Sequence, residues 1–195
     1  MHADITDILD DEVYRSEFAD EVHQTVGDGQ LVGLVNNAAV QILGSIEKVT
    51  IQDFRETMDV NVAVPLALSQ ICFDLLVKSS GTILNVGSIH ASLTKPGFIS
   101  YSTSKAAIAG LTRALAVDVG DRVKVLGIQP AAIATQMLMD GFADDPDALS
   151  ELKSYHPSKS IGEPLDIAEF VAYLISSKCQ FLNGTMLDVN GGIGA

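Results

Sequence analysis

Apolar runs and helical patterns alternate along this chain of 195 residues, and that alternation constrains its fold more than any other feature. Short apolar runs predict strands at residues 31–35, 82–86, 123–128 and 186–189. Patterns typical of helices occupy residues 13–26, 53–77, 101–117 and 166–176. Alternating strands and helices fold as a parallel sheet that carries helices on its faces. The sequence therefore predicts an α/β fold.

Three segments depart from this regular alternation. The helix over residues 53–77 is predicted to be interrupted near Pro65. Residues 132–160 contain helical pieces at 136–142 and 146–154 and follow the carboxyl end of a strand. We interpret this segment as a lid over a substrate site, with a plain surface loop as the alternative. Residues 3–6 are interpreted as the tail of a strand.

Composition excludes several classes of function. Hydrophobic residues make up 47% and charged residues 19% of the chain, which indicates one globular domain over residues 1–195. A net charge of −13 argues against nucleic acid and anionic membranes as partners. We find no apolar run near the roughly 20 residues that span a bilayer and no signal peptide, and we expect a cytoplasmic protein. The scattered histidines and two cysteines predict no metal site.

The stretch that carries chemistry contains Ser88, Tyr101 and Lys105. Tyr101 and Lys105 are four residues apart on a predicted helix and share one face. An ammonium beside a phenol lowers the phenol pKa from about 10, so that the tyrosine can exchange a proton with an alcohol or carbonyl oxygen. Ser88 follows a strand and could hydrogen-bond the same oxygen. An isolated tyrosine and lysine at this spacing are more often part of an exposed face.

Further motifs, in order along nearly the whole chain, resemble the short-chain dehydrogenase/reductase family, and its 3-oxoacyl-ACP reductase-like members in particular. They are Asn36-Asn37-Ala38-Ala39, Asn61, Asn85 to Ser88, Pro130-Ala131-Ala132-Ile133-Ala134-Thr135, Gly162-Glu163-Pro164 and Asp188-Val189-Asn190-Gly191-Gly192. The resemblance implies a Rossmann-like, doubly wound parallel sheet in three αβα layers. It also implies an oxidoreductase that transfers hydride between NAD or NADP and a small alcohol or ketone, and a homo-oligomer, either dimer or tetramer.

The resemblance also implies roles for single residues. Tyr101 would be the general acid/base, Lys105 would lower its pKa and hold the nicotinamide ribose, Ser88 would orient the substrate oxygen, and Asn61 would support a proton relay through water. The implied cofactor-binding residues are Asp4, Ile5, Asn36, Ala38, Tyr101, Lys105, Pro130, Ile133 and Thr135. In the lid segment, Met137, Leu138, Met139 and Phe142 suggest an apolar substrate, although ordinary lid packing explains them equally well.

One family motif has no counterpart in these residues, namely the glycine-rich turn TGxxxGxG that holds the pyrophosphate. Asp4-Ile5 resembles the end of the family's third strand, so two βα units, about 60 residues, would be missing before it. We therefore expect cofactor binding to be impaired. The sequence does not show whether NAD or NADP is preferred. The alternative is a non-catalytic truncated homologue that assembles with partners or binds a ligand. The strand at 31–35 would become an exposed edge, which predicts self-association or marginal stability.

Overall fold

The computed structural model describes residues 4–140, 142 and 145–195, without the side chains of Met137 and Pro146. Its four strands form one parallel sheet in the order β1-β2-β3-β4. The strands are β1 (Gly33–Asn36), β2 (Thr82–Val86), β3 (Lys124–Pro130) and β4 (Met186–Val189). The predicted parallel α/β sheet is thereby confirmed, with β2 and β4 at the predicted bounds and β1 and β3 displaced by one or two residues.

The helices between the strands follow the predicted pattern. They are α1 (Asp7–Asp10), α2 (Glu12–Val26), α3 (Ile51–Met58), α4 (Val64–Ser79), α5 (Ile99–Val119), α6 (Gln136–Asp140), α7 (Pro146–Tyr155) and α8 (Pro164–Ser176). Local sequence explains where several of them begin. Asp11 caps α2 by accepting hydrogen bonds from two backbone amides, and Thr50 and Asp53 form a reciprocal capping box on α3. Part of the predicted lid, residues 141, 143 and 144, lies outside the described residues.

Two apolar clusters on opposite sides of the sheet give the fold its three layers. On one side, Ile83 and Val125 of the strands pack with Cys72 and Leu76 of α4. On the other side the strand residues Leu84, Leu126 and Ile128 pack against Leu174 of α8. Because neighbouring residues of a strand point to opposite faces, the two central strands, β2 and β3, each contribute to both clusters. The Rossmann-like three-layer arrangement predicted from the family resemblance is confirmed.

The helix was predicted to be interrupted near Pro65, but it continues past this residue through an irregular turn. Residues 51–79 run as one helical stretch in which Asp59–Ala63 form a π-helical turn, and Pro65 lies in the first turn of α4 directly after it. Proline lacks a backbone N–H, so the carbonyl of Asn61 has no α-helical donor four residues later. The π turn absorbs this missing bond, and the helix continues instead of breaking.

One further expectation is wrong. Residues 4–6 are not the tail of a strand: the Asp4 carboxylate accepts hydrogen bonds from the amide and hydroxyl of Thr6, a local turn that leads into α1. In the part of the chain that the structure describes, one helical stretch, Ile51–Ser79, is long and apolar enough to cross a membrane by length and composition alone. Its apolar side packs on the sheet through Cys72 and Leu76, as a core helix of an α/β domain does.

Candidate active site

The carboxyl ends of the strands bring the predicted site residues to one edge of the sheet. Asn36 is the last residue of β1, Ser88 follows β2 after one glycine, and Pro130 ends β3. Parallel α/β sheets bind ligands at this edge, where loops rather than strand pairing occupy the space. Tyr101 and Lys105 reach the same edge from the first two turns of α5.

Ser88 is held in place by its own backbone neighbours. Gly87 lies so close to β3 that a Cβ there would approach the carbonyl oxygen of Ile128 to 3.0 Å, which fixes the chain just before Ser88. The Ser88 side chain then caps the short 3-10 turn Ile89–Ala91, because its Oγ accepts a hydrogen bond of 3.1 Å from the amide of His90. With one acceptor position used in this way, the hydroxyl proton of Ser88 remains available for donation.

Lys105 is a buried cation whose charge has few partners. Its side chain is 4% exposed, and Nζ donates a hydrogen bond of 2.9 Å to the carbonyl oxygen of Val86. Nζ also lies 5.5 Å from the centroid of the Tyr101 ring. Burial disfavours the ammonium and lowers the pKa of Lys105 from 10.5 to about 8.

The pKa of Tyr101 shifts in the direction opposite to the sequence-based expectation. Burial of the phenol raises its pKa above 10, and the interaction with the Ser88 hydroxyl only partly opposes this. Lys105 does not lower the pKa here, because its Nζ lies over the ring and is directed to the Val86 carbonyl. In this arrangement Tyr101 keeps its proton at neutral pH, which suits a general acid.

Asn61 connects three elements of the site through its amide. Its Oδ1 accepts from the amide of Val40 at 2.8 Å, and its Nδ2 donates to the Val40 carbonyl at 2.9 Å and to the Ser104 hydroxyl at 2.9 Å. The Ser104 hydroxyl in turn donates to the backbone carbonyl of Tyr101. Asn61 therefore ties the loop after β1 to the helix that carries Tyr101, and its side chain makes no described contact with Tyr101 or Lys105 themselves.

Asn36 belongs to a separate chain of buried hydrogen bonds. Its Nδ2 donates to Oδ1 of Asn85 at 2.8 Å, and Nδ2 of Asn85 donates to the Thr112 hydroxyl at 2.9 Å. Oδ1 of Asn36 is buried and has no hydrogen-bond partner among the described residues. An unpaired buried acceptor at the end of β1 is a place where a donor from a ligand or from another chain segment would be stabilised.

The remaining predicted cofactor-binding residues make no described side-chain contact with Ser88, Tyr101 or Lys105. Ile133 is held by backbone pairing with Gly162, and Thr135 is exposed and precedes α6. Ala38 is exposed in the loop after β1. Among the described residues, the Asp4 side chain bonds only Thr6, and Ile5 packs against an apolar cluster that contains Ile8 and Val64. Neither makes a described contact with the catalytic group.

The site also contains residues to which the sequence analysis assigned no role. Ser104 and Asn85 are fully buried and hold the network described above, whereas His90 and Phe98 pack beside Tyr101. The sequence signal for Asn85 and His90 was their position in the segment around Ser88, but nothing in the sequence showed which way their side chains turn.

The donors at this edge suit the nicotinamide and ribose end of a dinucleotide. Two N–H bonds of the Lys105 ammonium remain after the one given to Val86, and ribose hydroxyls are acceptors as well as donors. The unpaired Oδ1 of Asn36 adds an acceptor at the same edge. Lys105 and Tyr101 would hold the ribose. For the pyrophosphate, the sequence offers no glycine-rich turn whose amides could cradle it.

A Rossmann-like sheet with serine, tyrosine and lysine at its carboxyl edge defines the class of dinucleotide-dependent oxidoreductase folds. A family model described as enoyl-(acyl carrier protein) reductase matches residues 2–194. The chain is also 32% identical over 162 residues to 3β-hydroxysteroid dehydrogenase 1 of Eggerthella lenta, a match that covers 82% of this chain and 62% of that protein. The chain thus belongs to the short-chain dehydrogenase/reductase family.

Solved structures agree with this assignment. The ligand-free aldohexose dehydrogenase of Thermoplasma acidophilum superposes with a TM-score of 0.89 at 28% identity, covering 100% of this chain and 77% of that one. The protein ElxO with NADP bound superposes with a TM-score of 0.86 at 26% identity, covering 99% and 77%. The sequence thus spans about three quarters of these structures and 62% of the length of the hydroxysteroid dehydrogenase.

Proposed function

We propose that the protein is an oxidoreductase that transfers hydride between NAD(P)(H) and a small alcohol or ketone. The observation that carries this proposal is the convergence of Ser88, Tyr101 and the buried Lys105 at the carboxyl edge of the sheet. A buried ammonium is costly for the fold, so its presence beside a phenol points to a functional use. The NADP bound to the related ElxO supports the class of cofactor.

Tyr101, Ser88 and Lys105 have different roles in transferring a proton to or from the substrate oxygen. When bound, the nicotinamide group supplies or accepts the hydride. In reduction, Oη of Tyr101 gives its proton to the carbonyl oxygen, and in oxidation it takes the proton of the alcohol. Ser88 donates its hydroxyl proton to the same substrate oxygen, because the bond that its Oγ accepts from the His90 amide does not use that proton. Once ligand oxygens accept the two remaining N–H bonds of Lys105 and favour its charged form, that ammonium would stabilise the phenolate that remains on Tyr101 after reduction.

The other predicted residues have supporting parts in this proposal. Asn61 positions α5 through Ser104 and supports the proton relay, and Asn36, Ala38, Pro130, Ile133 and Thr135 line the nicotinamide end of the cofactor. Asp4 and Ile5 would meet the adenine. Because no residues match the glycine-rich turn, we expect these 195 residues alone to bind either dinucleotide weakly.

We also propose a cytoplasmic homo-oligomer without nucleic-acid or membrane partners. The net charge of −13 disfavours polyanions, and the two cysteines are unpaired, as in a reducing compartment. Strongly exposed apolar side chains, among them Val117 and Phe181, are available for contacts between subunits.

A second candidate is a non-catalytic homologue that binds a ligand or partners, for which the specific observation is that none of these 195 residues form the glycine-rich turn that would hold the pyrophosphate. Calorimetric titration with NADH and with NADPH separates the two candidates. Micromolar binding of either dinucleotide supports the oxidoreductase, and the absence of binding at millimolar concentration supports the non-catalytic protein.

Turnover provides a second test of the oxidoreductase proposal. Tyr101→Phe should abolish reduction of a panel of small ketones and aldoses, because the variant has no proton to give to the carbonyl oxygen. Tyr173→Phe is the matched control, since that tyrosine is exposed on α8 and distant in sequence from the site. A Tyr101→Phe variant with the wild-type rate would refute the role of Tyr101.

A further inference from the structure

His156 is a buried histidine that has no part in the chemistry described so far. It directly follows α7, and it is 2% exposed. Its Nδ1 lies 3.1 Å from the carbonyl oxygen of Leu152, one turn earlier in the same helix. A carbonyl oxygen only accepts, so Nδ1 carries the hydrogen, and Nε2 of the neutral ring is then an acceptor. This Nε2 is buried and has no hydrogen-bond partner among the described residues.

The edge of the imidazole that carries Nε2 faces a pocket of about 410 Å³. Nδ1 is turned toward α7, whereas Cδ2, the ring neighbour of Nε2, faces the turn at residues 190–192. A Cβ on Gly191 would lie 3.5 Å from Cδ2 of His156. His156 and this turn both line the pocket, together with residues 131–133 after β3. The unpaired nitrogen is therefore directed into a cavity large enough for a small ligand.

Acceptors predominate among the side-chain polar groups that remain free around this pocket. Asp166 and Asp188 each use one carboxylate oxygen for a bond inside the protein and have no described bond on the other. Ser158 and Ser160 donate their hydroxyl protons within their own segment, and Nδ2 of Asn190 is a donor. No lysine or arginine is among the described residues that line the pocket. The pocket therefore favours a ligand that donates hydrogen bonds and carries positive charge.

The pocket is separate from the group that would transfer the proton. Ser88, Tyr101 and Lys105 are not among its described lining residues, although Ile133 of the predicted cofactor-binding set is. A ligand in the pocket would contact one wall of the predicted cofactor site but none of these three side chains.

We propose that this pocket binds a small primary ammonium ion, which donates a hydrogen bond to Nε2 of His156 and is attracted by the carboxylates of Asp166 and Asp188. An ammonium has three donors and no acceptor, which matches the free groups of the pocket. Pairing Nε2 removes the penalty of an unsatisfied buried acceptor. A neutral alcohol could make the same hydrogen bond but would gain nothing from the two negative charges, and a carboxylate ligand would be repelled by them.

Imidazole NMR of ¹⁵N-labelled protein tests the site with propylammonium chloride as the probe. His156 should show its proton on Nδ1, and propylammonium should shift Nε2 in a saturable titration. 1-Propanol should bind on the order of 10-fold more weakly, and sodium propionate and sodium chloride should leave the resonance unchanged. The titration needs neither a dinucleotide nor turnover, so its result is independent of the proposed oxidoreductase function.

Variants assign the binding to these residues, with the backbone amide of Gly191 as the common reporter. His156→Phe removes the acceptor and should weaken propylammonium binding on the order of 10-fold. Because that position is buried, Asp188→Asn provides a second variant at an exposed position, and it should weaken propylammonium binding several-fold without affecting 1-propanol. Asp118→Asn, at an exposed position of α5, is the matched control and should bind as the wild type does.

Several results would overturn the inference. They are a proton on Nε2 of His156, equal affinity for propylammonium and 1-propanol, and wild-type affinity in Asp188→Asn. The absence of a saturable shift with propylammonium would show that the pocket holds water only, and would overturn it as well.

Discussion

Replacing Lys105 by methionine should make the protein more stable at neutral pH. Lys105 is 4% exposed, and its pKa of about 8 compares with 10.5 for the free side chain. At about 1.4 kcal/mol for each pKa unit, keeping the ammonium in the folded protein costs about 3 kcal/mol. The bond from Nζ to the Val86 carbonyl returns about 1 kcal/mol, which Lys105→Met would lose. We therefore expect Lys105→Met to raise the free energy of unfolding by about 2 kcal/mol at pH 7.

The pH dependence gives this prediction a specific sign. Between about pH 8 and 10.5 the unfolded chain holds the proton of Lys105 and the folded protein does not. Stability from this group therefore rises with pH across that window, and the cost is fully present only below it. Urea unfolding at pH 7 and pH 10 measures the effect, and the advantage of Lys105→Met over wild type should shrink at pH 10.

Comparison with a second lysine isolates burial as the cause. Lys48→Met removes an exposed lysine and should change stability by less than about 0.5 kcal/mol at either pH. Groups that titrate in every variant cancel in the differences. A Lys105→Met variant less stable than wild type at pH 7, or a difference independent of pH, would refute the reasoning.

Two other predictions concern the hydrogen bonds of the site and the edge of the sheet. Ser104→Ala removes a partner of both the Asn61 amide and the Tyr101 carbonyl and should cost about 1–3 kcal/mol in urea unfolding, whereas Thr103→Ala on the exposed side of α5 should cost less. An unaffected Ser104→Ala would show that Asn61 does not depend on this bond. β1 pairs only with β2 among the described strands, so the chain alone should associate in sedimentation velocity experiments and Val35→Lys should weaken that association. A monodisperse wild-type monomer would contradict this.

The sequence predicted the elements whose ends carry strong local signals. Gly81 and Gly87 flank the apolar run of β2, and the family motif around Asn190 follows β4, so both strands were predicted at their observed bounds. The start of the chain was misread because an apolar residue between polar ones fits a strand end as well as a helix entrance. Only the hydrogen bonds between Asp4 and Thr6 distinguish the two.

The sequence was enough to predict which residues form the candidate site, but not which groups their side chains contact. Spacing along a helix is enough to place Tyr101 and Lys105 on one face. Which carbonyl receives the lysine, or which ring nitrogen of His156 stays open, depends on groups far apart in the chain or on the exact path of a turn. Asn61 shows the same limit, because its partners Val40 and Ser104 lie 21 and 43 residues away.

Burial has opposite effects on the two central ionisable groups, and this bears on how the site works. The pKa of Tyr101 is raised above 10 while that of Lys105 falls to about 8, so on alkaline titration the lysine loses its proton before the tyrosine does. An ammonium beside a phenolate is therefore disfavoured in the protein by itself. Hydrogen bonds from the lysine ammonium to ligand oxygens favour its charged form and raise its pKa. A ligand that occupies the two free N–H bonds of Lys105 would thus restore the order of pKa values that proton transfer through Tyr101 requires.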